Sequence, residues 1–371
     1  MRCVATLLAM AGLAATPAVA ASALTIGVSA PLSGPDAVFG DQLKLGVMQA
    51  VADIDASGGI LGAGAHVVLG DDGNDAKTGV EVANSFVDDK VPIVVGPFSS
   101  AVTGPASAVY AGAGVLDITP SATAPLVTER GLATVFRLCP REDTQAPVAA
   151  AYLTRRFGRV AILHDRSGPG KAVADAVRKA LAADGGREVY YGSVDRTAHD
   201  LGGLVARLKA SGAQAVFWGG GPAEAGTVAR QLKEAGARIT LLGGFALASD
   251  EFASAAGPAA DGALVVFPRD PRTKATAAAL LRRLQARNVS PDGYVFAAYA
   301  AVQVVAQAAA TAMSLEPAAL ARTMHAGSTF RTVLGDLAFD PKGDLKTPDL
   351  AIYVWHKGAT GRMAFDEEAA S

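Results

Sequence analysis

Cysteine is nearly absent from this chain, which has two, Cys3 and Cys139. Cys3 falls within a candidate export signal, so Cys139 alone remains afterwards; no internal disulfide is expected, and burial must hold the fold together. A dominant charge is also lacking. The 33 Lys and Arg face 35 Asp and Glu, a formal net charge of -2, which removes the electrostatic case for nucleic acid or anionic lipid as the main partner. Charged residues make up 18% and aromatics 6%, against 50% hydrophobic, so Ala, Val, Leu and Ile carry the apolar share, as in α/β cores. His66, His164, His199, His325 and His356 are scattered without zinc-ligand spacing, so no metal site is expected. No Gly-x-Ser-x-Gly elbow marks a hydrolase nucleophile.

What is present begins with MRCVATLLAMAGLAATPAVAAS. A basic Arg2, an apolar run from Val4 and small residues at Ala18 and Ala20 read as a secretory signal over residues 1–20. Cys3 lies far upstream of that cut, the wrong place for a lipidated cysteine. No later run is read as approaching the ~18 apolar residues that span a bilayer, so the exported chain is expected to be soluble. The 371 residues suggest about two domains.

Apolar, β-branched runs alternate with helix-length amphipathic stretches, which predicts βαβ units and mostly parallel sheets. Strands are expected at Leu24–Ala30, Ala65–Asp71, Pro92–Pro97 and Gly114–Ser121, with helices at Gly40–Ser57 and Lys77–Asp89. After Cys139-Pro140-Arg141 the pattern restarts. Strands are expected at Arg159–Asp165, Arg187–Val194, Ala213–Gly219, Arg238–Phe245 and Gly262–Phe267, with helices between them, one of them capped by Asp200. Long Ala-rich helices, Ala275–Arg287 and Tyr294–Ala312, have no strands of their own and are expected to pack on the first lobe. Strands at Leu334–Phe339 and Leu350–His356 close the chain.

Two glycine motifs fail on inspection. The segment GGGPAEAG has Gly219 and Gly221 after a strand, but a dinucleotide fingerprint needs glycine where Glu224 stands, and a plain strand-to-helix turn is the better reading. Gly168-Pro169-Gly170-Lys171 lacks the first P-loop glycine, where Asp165 stands, and the metal-binding hydroxyl, where Ala172 stands. Asp71-Asp72 and Asp88-Asp89 read as solvated turns. What remains are hydroxyls at strand carboxyl ends, in Phe98-Ser99-Ser100 and Thr119-Pro120-Ser121-Ala122-Thr123. Ligands of parallel sheets bind there, beside helix N-termini that favour anions. A few hydrogen bonds of about 1.5–3 kcal/mol each would anchor a small carboxylate.

The segments SGPDAVFGDQ from Ser33, AVADIDASGGILG from Ala50, ITPSATAPLVTERG from Ile118, LVARLKASGAQAVFWGG from Leu204 and FDPKGDL from Phe339 resemble the branched-chain amino acid-binding (leucine/isoleucine/valine-binding) proteins of ABC importers. The resemblance runs from about Leu24 to His356. It implies a type I periplasmic binding protein with two Rossmann-like α/β lobes of parallel sheet, joined by a three-strand hinge. The crossings would lie near Cys139–Glu142, Phe267–Asp270 and Phe339–Pro341, giving lobes of residues 21–140 with 270–338 and 141–268 with 341–371.

Carried over by resemblance, the carboxylate site falls on Ser100, Ser121, Ala122 and Thr123. Pocket tyrosines of the family fall on Phe39, Pro169 and Gly221, and the acid that pairs with a ligand ammonium falls on Phe245. The family's disulfide falls on Asn74 and Ser99 and is absent. Loss of the acid favours a carboxylate without an ammonium, aromatic or short aliphatic, unless Asp143, Asp165 or Asp250 takes its place. The expected function is therefore a periplasmic, non-enzymatic and monomeric receptor. It would deliver a branched-chain amino acid or an amino-lacking or aromatic acid to an ABC permease, with no cofactor and no nucleic acid partner. The alternative is a ligand sensor read by a membrane protein.

Overall fold

The computed structural model describes residues 23–358 and 361–367; the expected signal at 1–20 lies outside them. The chain first lays down β1 (Leu24–Ala30), α1 (Ala37–Ala56), β2 (Ala65–Asp71), α2 (Ala76–Asp88), β3 (Ile93–Val95), α3 (Ser100–Gly112), β4 (Leu116–Thr119), α4 (Leu126–Glu129) and β5 (Val135–Arg137). These strands form one sheet in the order β2-β1-β3-β4-β5, every pairing parallel.

A second sheet follows. It is built from α5 (Gln145–Arg156), β6 (Val160–His164), α6 (Gly168–Ala183), β7 (Glu188–Ser193), α7 (Gly202–Ala210), β8 (Ala215–Gly219), α8 (Pro222–Glu234), β9 (Thr240–Gly243), α9 (Asp250–Ala256) and β10 (Leu264–Pro268). Helices α10 (Ala278–Gln285), α11 (Gly293–Ala312) and α12 (Pro317–His325) come next, then the hairpin β11 (Phe330–Thr332) and β12 (Gly335–Leu337). The last strands, β13 (Leu350–Lys357) and β14 (Met363–Glu367), add antiparallel to β10, so the order is β14-β13-β10-β9-β8-β6-β7. Parallel pairing therefore holds for β6 to β10, while the closing strands make this sheet mixed.

Each sheet is covered on both faces, which is why its strands read as continuous apolar runs. On the first sheet Leu24, Ile26 and Val28 of β1 and Leu116 and Ile118 of β4 pack with α1, α10, α11 and α12. The opposite face packs Val94 against Phe86 and Tyr110 of α2 and α3. The second sheet sets Trp218 and Val216 toward α7, α8 and α9, and Phe217 and Ile162 toward α5 and α6.

Several expectations are corrected. Helix α11 is long and apolar enough to cross a membrane, contrary to the reading that no such run follows the signal. Its residues are mostly buried against α1, where a Cβ on Gly46 would lie 2.3 Å from the Val295 carbonyl; this is a core helix in close contact with its neighbour. The expected strand at 334–339 is the hairpin strand β12, outside both large sheets. Asp200 bonds the N–H of Gly202, although Leu201 occupies the N-cap of α7. Asp72 is not solvated: it is buried and accepts the Ser29 hydroxyl at 3.1 Å.

The chain passes between the sheets three times. It leaves β5 at Arg137 for α5, and leaves β10 at Pro268 for α10. Phe339 still packs in the first core and Asp344 still bonds Arg137, so the third passage lies between Asp344 and Leu350, later than the expected 339–341. There Arg269 and Asp349 run side by side, with the Arg269 N–H donating to the Asp349 carbonyl at 3.0 Å.

Candidate ligand-binding site

A pocket of about 340 Å³ is lined mostly by the strand carboxyl ends of the second sheet and, on the first-sheet side, by Thr123 in the loop after β4. On the first-sheet side, β3 leads through Phe98 and Ser99 into α3, and β4 leads through Ser121 to Thr123 toward α4. Thr119 closes this second loop locally: its hydroxyl donates to the Pro97 carbonyl at 2.9 Å and accepts the N–H of Ala122 at 3.1 Å. The hydroxyl of Ser121 is spent inward on the Phe98 carbonyl at 2.7 Å, so it ties one loop to the other. Ser100 Oγ accepts the Ala124 N–H at 3.1 Å, which leaves its own proton to donate. As the first residue of α3, Ser100 also has an N–H with no intrahelical acceptor. Ser99, at the N-cap, forms no cap bond, and its buried Oγ has no partner.

Of the seven expected site residues, Thr123 and Phe245 line the pocket. Ser100, Ser121 and Ala122 are the framework behind Thr123, and the Ala122 carbonyl is occupied by Arg137 Nη1 at 2.8 Å and by the Cys139 thiol at 3.3 Å. Phe39 belongs to an aromatic trio. It stacks on Phe98 with centroids 4.8 Å apart, and Tyr294 from α11 meets both rings edge-on. None of the three rings is among the residues lining the pocket, and nothing in the local sequence marks Tyr294, because α11 reaches Phe39 and Phe98 only through tertiary packing.

The second-sheet wall carries Asp165, Ser167, Pro169, Arg196, Trp218, Gly221 and Phe245. Phe245 follows β9; its N–H donates to Oε1 of the buried Gln145 at 3.0 Å, and its ring sits edge-on to Phe267. Asp165 is buried, which pushes its carboxyl up, but bonds from the Ser167 hydroxyl and from the N–H groups of Gly221 and Ser167 outweigh that and hold it below the ordinary carboxylate range. Its oxygens are thus committed to the protein.

Glu142 was missed from the sequence. Its N–H donates to the Thr123 carbonyl at 3.0 Å, and its Oε2 accepts the Thr123 hydroxyl at 3.4 Å. It lines the pocket and joins no ion pair among the described residues, since neighbouring Arg141 pairs with Glu129, Asp143 and Asp344. Asp143 is held by Arg141, and Asp250 heads α9 without lining the pocket. A depression of about 520 Å³ on the outer face of α6 is lined by Arg178 paired with Glu188, by Asp175 paired with Lys171, and by Lys179 and Arg187.

Two α/β sheets that turn their strand carboxyl ends toward one pocket are the frame of a receptor that closes on its ligand. A family model described as periplasmic binding protein matches residues 23–360. The chain belongs to that family. This periplasmic binding protein is 40% identical over 345 residues to Leu/Ile/Val-binding protein homolog 1 of Brucella suis, covering 92% of this chain and 93% of that one. It is 37% identical over 360 residues to the leucine-, isoleucine-, valine-, threonine- and alanine-binding protein of Pseudomonas aeruginosa, covering 95% of each. Among solved structures, an ABC transporter substrate-binding protein of Desulfitobacterium hafniense in complex with Leu superposes with a TM-score of 0.76 at 25% identity, over 92% of this chain and 99% of that one. The periplasmic binding protein described here is therefore of type I and homologous to the branched-chain amino acid-binding proteins of ABC transporters.

Proposed function

We propose that this periplasmic binding protein is an exported, non-enzymatic receptor that delivers a small α-amino acid to an ABC permease. One lobe is built on the first sheet with the segment from α10 to Asp344, the other on the second sheet with the strands from Leu350 onward, and ligand contacts from both would stabilise the closed form that a permease distinguishes from the open one. In this reading the ligand carboxylate takes hydrogen bonds from Ser100, Thr123 and the first turn of α3. The single observation that favours an ammonium is Glu142, a carboxylate on the pocket wall, bonded to Thr123 and without an ion pair. It takes over the role that Phe245 cannot fill. Burying an ammonium without an anion costs several kcal/mol, and Glu142 removes that cost. The names of the relatives, binders of leucine, isoleucine and valine among others, agree with an amino-acid ligand.

Calorimetry with L-leucine, L-isoleucine, L-valine and L-phenylalanine against their deaminated 2-oxo counterparts tests the proposal. An L-amino acid is expected to bind more tightly than its deaminated counterpart, with the difference lost in Glu142→Gln. Equal or tighter binding of a 2-oxo acid, unaffected by Glu142→Gln, would leave the ligand an ammonium-free acid.

A further inference from the structure

The amino-acid reading concerns one end of the ligand; the opposite wall bears on the other end. Arg196 follows β7 and is the one cation among the residues lining the pocket. Its Nε donates to Glu224 Oε1 at 2.9 Å, so the pair spans from the loop after β7 to the first turn of α8. The two terminal guanidinium nitrogens hydrogen-bond to none of the described residues. Glu224 can hold Arg196 in this way because residue 221 is glycine: a Cβ there would lie 2.5 Å from Glu224 Oε2 and would displace the carboxylate. Of the other polar side chains lining the pocket, Gln145 uses its Oε1 on the Phe245 N–H at 3.0 Å, and the charged and aromatic groups beside Arg196 are engaged within the protein. Asp165 is committed to Ser167 and Gly221, and the Trp218 indole is buried with its N–H on the Gly221 carbonyl at 3.0 Å.

We propose that Arg196 is a specificity-determining residue, and that the ligand carries an oxygen acceptor, a carboxylate or carboxamide, at the end of its side chain. A guanidinium anchored through Nε keeps two N–H donors in a fixed plane, the geometry that grips such an oxygen pair. The inference rests on the amino-acid reading and narrows it to acidic amino acids and their amides, away from purely apolar side chains.

The test is calorimetry of the mature protein with L-glutamate, L-glutamine, L-leucine, glutarate and 4-methylpentanoate, in the native protein and in Arg196→Met. L-Glutamate or L-glutamine is expected to bind at least tenfold more tightly than L-leucine. Arg196→Met should abolish that preference and leave L-leucine within about threefold of its native affinity. L-Leucine binding as tightly as either, or a preference that survives Arg196→Met, would overturn the proposal. Glutarate preferred over 4-methylpentanoate and over all three amino acids, with the preference lost in Arg196→Met, would sustain the role of Arg196 and sink the amino-acid reading. Binding of none of the five by folded protein would overturn the proposal.

Discussion

Arg137 and Asp344, more than two hundred residues apart in sequence, form a buried ion pair of 2.7 Å beneath the binding loop. The same guanidinium donates to the carbonyls of Ala122 and Ala124, on either side of Thr123, and to the hydroxyl of Thr128. Asp344 also accepts Arg141 Nη1 at 2.9 Å. One carboxylate thus joins the first passage between the sheets to the approach of the third, and through Arg137 it sets the loop that presents Thr123.

Removing Arg137 takes the guanidinium from the Ala122 and Ala124 carbonyls, which keep the Cys139 thiol and the Val127 N–H, and leaves the buried Asp344 carboxylate with Arg141 and the Thr128 hydroxyl. Arg137→Met is expected to destabilise the protein by about 3–5 kcal/mol in chemical denaturation, the usual cost of breaking a buried pair from one side. It should also weaken ligand binding in the fraction that remains folded. A loss under about 1 kcal/mol would mean that Arg141 and the Thr128 hydroxyl satisfy Asp344 without Arg137.

Asp117 of β4 is fully buried, and neither carboxylate oxygen has a hydrogen-bond partner. The Tyr110 hydroxyl lies near it, and burial together with the Asp117 charge pushes that phenol well above its ordinary range. Burial pushes the Asp117 carboxyl well above its ordinary range, and the Arg130 charge offsets only part of this. Between the ordinary and the raised pKa the folded protein holds a proton that the unfolded chain releases, so stability falls as pH rises through that window. Asp117→Asn removes the dependence. Denaturation from pH 4 to pH 8 should show the variant gaining on the native protein by up to about 1.4 kcal/mol per pH unit. A constant difference across this range would show that Asp117 does not titrate there.

Ser100→Ala and Thr123→Ala are each expected to weaken ligand binding by about 1–3 kcal/mol, the loss of a hydrogen bond to a charged group. Folding stability should change less than binding does. Calorimetry on either variant with native affinity would remove that residue from the carboxylate site.

Cys139 donates its thiol to the Ala122 carbonyl, and burial pushes its pKa up to about 12. Little thiolate exists at neutral pH, so the residue is expected to be inert. Cys139→Ser should keep ligand affinity, and the native protein should show no reducible dimer on a non-reducing gel. A dimer present in the native protein and lost in Cys139→Ser would show that the thiol is accessible.

The candidate ligand residues legible in the chain are those whose proposed role depends on local geometry. Ser100 and Thr123 follow apolar strands and adjoin a helix start or a short loop, and strand, hydroxyl and turn are all neighbours in sequence. Glu142 gave no such signal. It stands in the charged run Arg141-Glu142-Asp143, where nothing local separates one carboxylate from the other, and it is singled out because Arg141 turns to Asp143, Glu129 and Asp344 while Glu142 turns to Thr123. Glu224 counted against phosphate binding from its position alone; that it anchors Arg196 emerges from the contact between two different βα loops.

By itself the sequence determined the βαβ alternation, because hydrophobic periodicity and glycine punctuation act over a few residues at a time. It also determined the loops at the strand ends, and blocks such as ITPSATAPLVTERG carried the resemblance to the leucine/isoleucine/valine-binding proteins. Only the tertiary structure decided that β13 and β14 add antiparallel to β10, that the apolar helix α11 is a core element, and that Arg137, Arg141 and Asp344 converge. These depend on which surfaces meet after long excursions of the chain. A buried charge must find its partner wherever the fold places one, and the identity of that partner is written in no local window of the sequence.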